Sequence, residues 1–92
     1  MARAHKTKVV AILHADGRRE DFEPHREMDL KQMQEVVGGY IEYTRPVLPH
    51  RKLVVNEEGL LRGLPLNPEA TAMYYAVGGG SPIVGHVLLV KS

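Results

Sequence analysis

Residues 82–90, PIVGHVLLV, are apolar at nearly every position, and no other stretch constrains the fold as strongly. Successive side chains of a strand point to opposite faces of its sheet, so a strand apolar on both faces must be covered on both. The run therefore predicts a central strand. Residues 8–13 carry the same signature, with Val9, Ala11 and Leu13 directed one way and Val10 and Ile12 the other. This strand too is expected in the interior of a sheet. Asp16-Gly17 fits a two-residue turn, where both central residues need positive φ. The return strand, 18–23, is mostly charged with only Phe22 to bury, which predicts an edge strand protected from mispairing by its charges.

Two helices follow from capping chemistry. In MDLKQMQEVVGG, Asp29 can cap the first free amides while Gln32 reaches back, a variant of the capping box. Met28 and Met33 occupy the two positions of a hydrophobic staple. Leu30, Met33 and Val37 recur at helical spacing, and Gly38 ends the helix. Asn67-Pro68 places a cap before a proline at the first helical position, opening a helix over PEATAMYYA. Between the helices, GYIEYT reads as a strand with Tyr40 and Glu42 on one face and Ile41 and Tyr43 on the other. A proline-bearing loop, 45–51, leads to the strand KLVVN, and Asn56 to Gly59 has the residue choice of a type I turn. LLRGLPLN suggests a short strand and then loop. The expected architecture is α+β, with one mixed, mainly antiparallel β-sheet of about five to six strands and two α-helices in the order ββαββ(β)αβ. Residues 1–92 form a single domain; Arg3, His5, Lys6 and Lys8 read as a basic arm, flexible over residues 1–6.

A chain of 92 residues buries only ~60–65% of its unfolded surface, which favours a core shared between subunits of a homo-oligomer. There is no cysteine, so disulfides, thiolate metal sites and cysteine nucleophiles are excluded. No apolar run approaches the roughly 20 residues that span a bilayer, so no membrane partner is expected and a cytoplasmic protein is. A net charge of +1 argues against general nucleic-acid binding.

Catalytic patterns are missing. The five histidines show no HxH, HxxxH or HExxH spacing, so neither a metal nor a cofactor is expected. Ser81 and Ser92 lie outside any GxSxG elbow, and no catalytic residue is assigned. Ligand binding has more support, because a nucleotide needs cations or amides for phosphate and flat side chains for its base. Arg45, Arg51 and Lys52 supply charge, His50 a donor or acceptor, and Tyr40, Tyr43, Tyr74 and Tyr75 stacking surfaces. Gly78-Gly79-Gly80 follows a helix rather than preceding one, so it lies at the negative end of a helix dipole. Gly78 is expected to terminate that helix, leaving amides of Gly79, Gly80 and Ser81 as a small anion nest beside the basic loop.

Three stretches, VGGYIEYTRP, LVVNEEGLLRGLPLNPEAT and PIVGHVLLV, together resemble a family of small domains of unknown function common in bacteriophages, plasmids and low-GC bacteria. The resemblance spans roughly residues 8 to 90. Asn67 and Thr71 belong to its NPEAT piece; Asn67 has a sufficient task as a cap, whereas Thr71 has no evident structural one. The resemblance implies a mobile-element setting, in which small proteins often inhibit host systems. The function expected on that basis is non-catalytic sequestration of a cyclic signalling nucleotide of host immunity by a homo-oligomer. The alternative is an inhibitor or adaptor docking on a host protein, and a small cyclic-nucleotide phosphodiesterase ranks third.

Overall fold

The computed structural model describes residues 5–92, so Arg3 of the basic arm lies outside the described residues. The elements run β1 (Thr7–Leu13), β2 (Arg19–Met28), α1 (Leu30–Val37), β3 (Ile41–Leu48), β4 (Arg51–Asn56), α2 (Pro68–Ala76) and β5 (Val87–Lys91). The five strands form one sheet in the order β2-β1-β5-β4-β3. All four neighbouring pairs are antiparallel, so the sheet has no parallel component.

The two strands read as interior sit side by side, β1 between β2 and β5 and β5 between β1 and β4. Their double-sided apolarity has a direct cause: the helices cover opposite faces. Met33 and Val37 of α1 pack with Val9, Ile12, Val54, Leu88 and Val90 on one face. Ala70 of α2 packs with Ala11, Leu13, Leu53, Val87 and Leu89 on the other. Val87 to Val90 thus alternate between two cores, and all are buried. Within β1 the simple alternation fails. Val9 pairs with Val90 but Ala11 with Leu89, so Val10 is an extra residue in a bulge. Val9 consequently shares a face with Ile12 rather than with Ala11 and Leu13.

Both helices are capped as their sequences specify. The Gln32 amide donates to Asp29 Oδ1 and the Asp29 amide to Gln32 Oε1, each at 2.8 Å, while Met28 and Met33 are both buried. Leu30 lies off this core and is half exposed. At the end of α2, the Gly78 amide donates to the Tyr75 carbonyl and the Gly79 amide to that of Tyr74, with Gly78 at φ 85°. That pair of bonds is a Schellman cap, which needs a left-handed residue where glycine costs least.

Four expected features differ. The first hairpin is closed by His14 and Arg18 around a three-residue loop, with Gly17 alone at positive φ; one left-handed residue suffices in this longer loop. Asp16 therefore keeps ordinary backbone geometry and binds the Arg18 amide, which holds its carboxyl below the usual range. LLRGLPLN forms turns and one isolated bridge, Leu66 to Val84, not a sixth strand. The amides of Arg62 and Leu64 bond back to Glu58 and Gly59, winding the chain instead of extending it. β5 begins at Val87 rather than residue 82, because Gly85 at φ 78° breaks the extended run. Finally, residues 45–48 are not loop but the second half of β3. Pro46 is tolerated there because β3 is an edge strand, where a missing amide on the outer side costs nothing. The opposite edge, β2, is the charged strand.

Candidate functional site

The β3–β4 hairpin carries most of the candidate residues, and its irregular register decides where they go. Tyr43 pairs with Val54 but Pro46 with Lys52, so Thr44 and Arg45 together oppose Leu53. Thr44 repairs the ladder at this bulge, its hydroxyl accepting the Leu53 amide at 3.1 Å. Arg45 is redirected towards α2, where Nη1 donates to the Val77 carbonyl at 3.1 Å. A guanidinium at a helix C-terminus complements the helix dipole. The hairpin closes at Pro49-His50, with His50 at φ 56°. Arg51 folds back on this turn, donating to the His50 carbonyl at 3.0 Å.

Two concavities flank Tyr43. The larger, about 650 Å³, lies between β3, the turns after Asn56 and the segment before Gly85. It brings Tyr43, Arg45, Tyr74 and Ser81 together, but its wall also contains Glu42, Glu57, Leu60 and Leu61. Leu60 and Leu61 are strongly exposed, so this mostly polar cleft has an apolar rim and an acidic component. The smaller groove, about 420 Å³, lies at one end of the sheet and is lined by Tyr43, Lys52, Lys91 and residues 5–8. Lys52 Nζ stands 4.5 Å from the centre of the Tyr43 ring, a cation–π contact.

Strand register explains why this end is basic. Lys91 pairs directly with Arg51, and Lys52 with Val90. Val90 pairs in turn with Val9, so one step further in the same register Lys8 stands against Lys91. Alternation places Tyr43 and Lys52 on the α1 face and Arg51 and Lys91 on the α2 face, so cations rim both sides of the sheet end. Among the described residues, no carboxylate lies within 4.0 Å of the Lys6, Lys8, Arg51, Lys52 or Lys91 charges. Like charges directly opposite across strands cost stability, a cost that a bound anion offsets. Lys6 and Lys8 are legible locally only as part of a terminal basic arm, and Lys91 not at all, because they lie at the two ends of the chain. Their signal is a lysine just outside each doubly apolar strand, meaningful only once those strands are known to be neighbours.

The remaining candidates lie apart. Tyr40 and Tyr75 are exposed and line neither concavity, and Gly79 and Gly80 likewise stand outside both. Asn67 is fully buried: its Oδ1 accepts the Ala70 amide, and its Nδ2 donates to the carbonyls of Leu13 and Gly85. Thr71 proves to have a structural task. Its hydroxyl donates to the Ile83 carbonyl at 3.0 Å and accepts the Ile83 amide at 2.9 Å, pinning the segment before β5 to α2. Thr71→Val should therefore cost about 1–3 kcal/mol in urea unfolding, because it strands a part-buried amide and carbonyl. Ligand affinity at the basic groove should stay unchanged in that variant.

A family model described as Domain of unknown function (DUF3846) matches residues 8–92. The chain belongs to the DUF3846 family. The match takes in the whole sheet apart from the first residue of β1, and both helices. Lys8, Arg51, Lys52 and Lys91 thus fall inside the DUF3846 domain, while His5 and Lys6 precede it. No curated protein and no solved structure matches the chain. No helix among the described residues of this DUF3846 domain is long and apolar enough to cross a membrane. No group of three or more His, Asp or Glu side chains among them is arranged to hold a metal ion.

Proposed function

We propose that this DUF3846 domain is a non-catalytic binding module for a phosphate-bearing small molecule of the nucleotide class. One observation carries the reading: Lys8, Lys52 and Lys91, from three adjacent strands, line one groove without carboxylate partners, beside the Tyr43 ring. Ammonium groups hold the phosphate, and the half-exposed face of Tyr43 receives the base. Sequestration of a cyclic signalling nucleotide of host immunity by a homo-oligomer is the specific form. It is supported by the mobile-element setting that the sequence motifs imply and by the small size of the core.

A thermal-shift panel of cyclic di- and trinucleotides and ADP-ribose derivatives tests this. At about 100-fold excess over the dissociation constant a true ligand adds about 2.7 kcal/mol, roughly 10 °C or more in a domain this small. Lys52→Ala combined with Lys91→Ala should abolish the shift while leaving the unliganded melting temperature within a few degrees. A panel without any shift removes the reading. Chromatography of the ligand after incubation separates binding from phosphodiester cleavage.

A second reading has its own observation. Leu60 and Leu61 stand exposed at the rim of the larger cleft beside Glu42 and Glu57, a surface suited to a partner protein with a basic rim. Leu61→Lys should weaken protein docking there and leave nucleotide binding untouched.

A further inference from the structure

At the end of the sheet away from the cationic groove, β1 and β5 pair Ala11 with Leu89, Ile12 with Leu88 and Leu13 with Val87. One step further in the same register, His14 stands against His86. Their rings meet edge to face with centroids 5.0 Å apart, and the two Nδ1 atoms are 3.3 Å apart. The other nitrogen of His14, Nε2, lies 2.6 Å from Glu20 Oε2. The main-chain amide of Ala15 points at His86 Nδ1 from 3.2 Å.

These contacts determine where the protons are. A backbone amide only donates, so His86 Nδ1 carries a lone pair and its ring proton sits on Nε2. His14 Nε2–H donates to the Glu20 carboxylate, so in the neutral tautomer His14 Nδ1 also carries a lone pair. The pair thus turns two nitrogen acceptors towards each other across 3.3 Å with no proton between them. Two nitrogens bound at about 2.05 Å to a tetrahedral ion are themselves about 3.3 Å apart. A carboxylate on the remote nitrogen is the usual means of orienting a metal-binding imidazole.

We propose that His14 and His86 form a two-histidine site for a divalent transition-metal ion, with Zn²⁺ the natural occupant. Imidazole donors select Zn²⁺, Cu²⁺ or Ni²⁺ over Mg²⁺ or Ca²⁺. Binding forms two nitrogen–metal bonds from the Nδ1 lone pairs, and the hydrated ion gives up two of its waters to solvent. The Ala15 amide passes from His86 to water, which the exposed loop permits. Water completes the coordination sphere. Glu20 keeps the proton on His14 Nε2, so that Nδ1 faces the ion. His86 is exposed, which gives the ion a path from solvent, whereas the His14 side chain is only 14% exposed and rigidly placed.

Isothermal titration of the full chain with ZnCl₂, in two buffers of different ionisation enthalpy, tests the site. One ion per chain is expected, with no net proton release at a pH above the histidine range. His14→Gln and His86→Gln should each weaken zinc binding at least tenfold. Glu20→Gln should weaken it roughly 10–100-fold, the usual effect of losing such an orienting carboxylate. His25→Gln and His50→Gln should bind zinc as the parent does. Parent protein that takes up no zinc at submillimolar concentration, or a His86→Gln variant of undiminished affinity, overturns the proposal. Because the site lies at the opposite end of the sheet, Lys52→Ala should leave zinc binding intact whatever becomes of the nucleotide.

Discussion

Asn67→Ala should destabilise the domain by about 3 kcal/mol or more, read from the midpoint of urea unfolding. Loss of the cap on α2 accounts for about 1 kcal/mol. The larger part comes from the Leu13 and Gly85 carbonyls, which both accept from Asn67 Nδ2 at 2.9 Å in a fully buried site. Each buried acceptor left without a donor costs about 1–3 kcal/mol. One side chain thus ties the end of β1, the approach to β5 and the start of α2. Asn67→Asp separates the roles, since a carboxylate still caps the Ala70 amide but cannot donate to either carbonyl. That variant should be at least as unstable as the alanine one at neutral pH. A loss below about 1 kcal/mol in both variants would show that water or rearrangement replaces the network.

Gly79→Ala should cost about 2 kcal/mol, in the range of other overpacked sites, and lower the melting temperature by roughly 10 °C. A Cβ at this position would fall well under 3.0 Å from the base of the Tyr74 ring, which packs across the glycine. The ring cannot yield by moving only its tip. Gly80→Ala is the matched comparison, because a Cβ there meets nothing within 4 Å; its stability should stay within about 0.5 kcal/mol of the parent. Equal melting temperatures for the two variants would mean that Tyr74 swings away at no cost. The contrast assigns the glycine run mainly to helix termination and ring packing.

Local chemistry was the most readable part of this protein. The Asp29 capping box, the Met28–Met33 staple, the Asn67 cap with Pro68 and the Gly78 terminator all depend on residues within a turn of one another. The interior positions of β1 and β5 followed from side-chain alternation. The hairpin after Tyr43 was misread because two prolines and three cations between residues 45 and 52 have the composition of a loop. An edge position and two bulges let the same residues continue a strand. Thr71 shows a related failure. Its partners on Ile83 lie 12 residues away, so no local pattern announces its structural task.

The candidate site divides along the same line. A basic cluster with tyrosines was visible around residues 40–52, and Tyr43 with Lys52 does form one wall of the groove. Its other walls come from Lys8 and Lys91, which sit 83 positions apart in sequence and face each other across neighbouring strands.

Sequence alone determined the two helices, where each begins and ends, and which strands must be covered on both faces. Those properties are set by hydrogen bonds and side-chain directions within a few residues. Only the tertiary structure decided that β5, the last strand, inserts between β1 and β4. That insertion is driven by burying Val87 to Val90 in two separate cores at once, a condition no neighbouring residue can satisfy. Once it is met, the antiparallel register carries lysines together at one end of the sheet and His14 against His86 at the other.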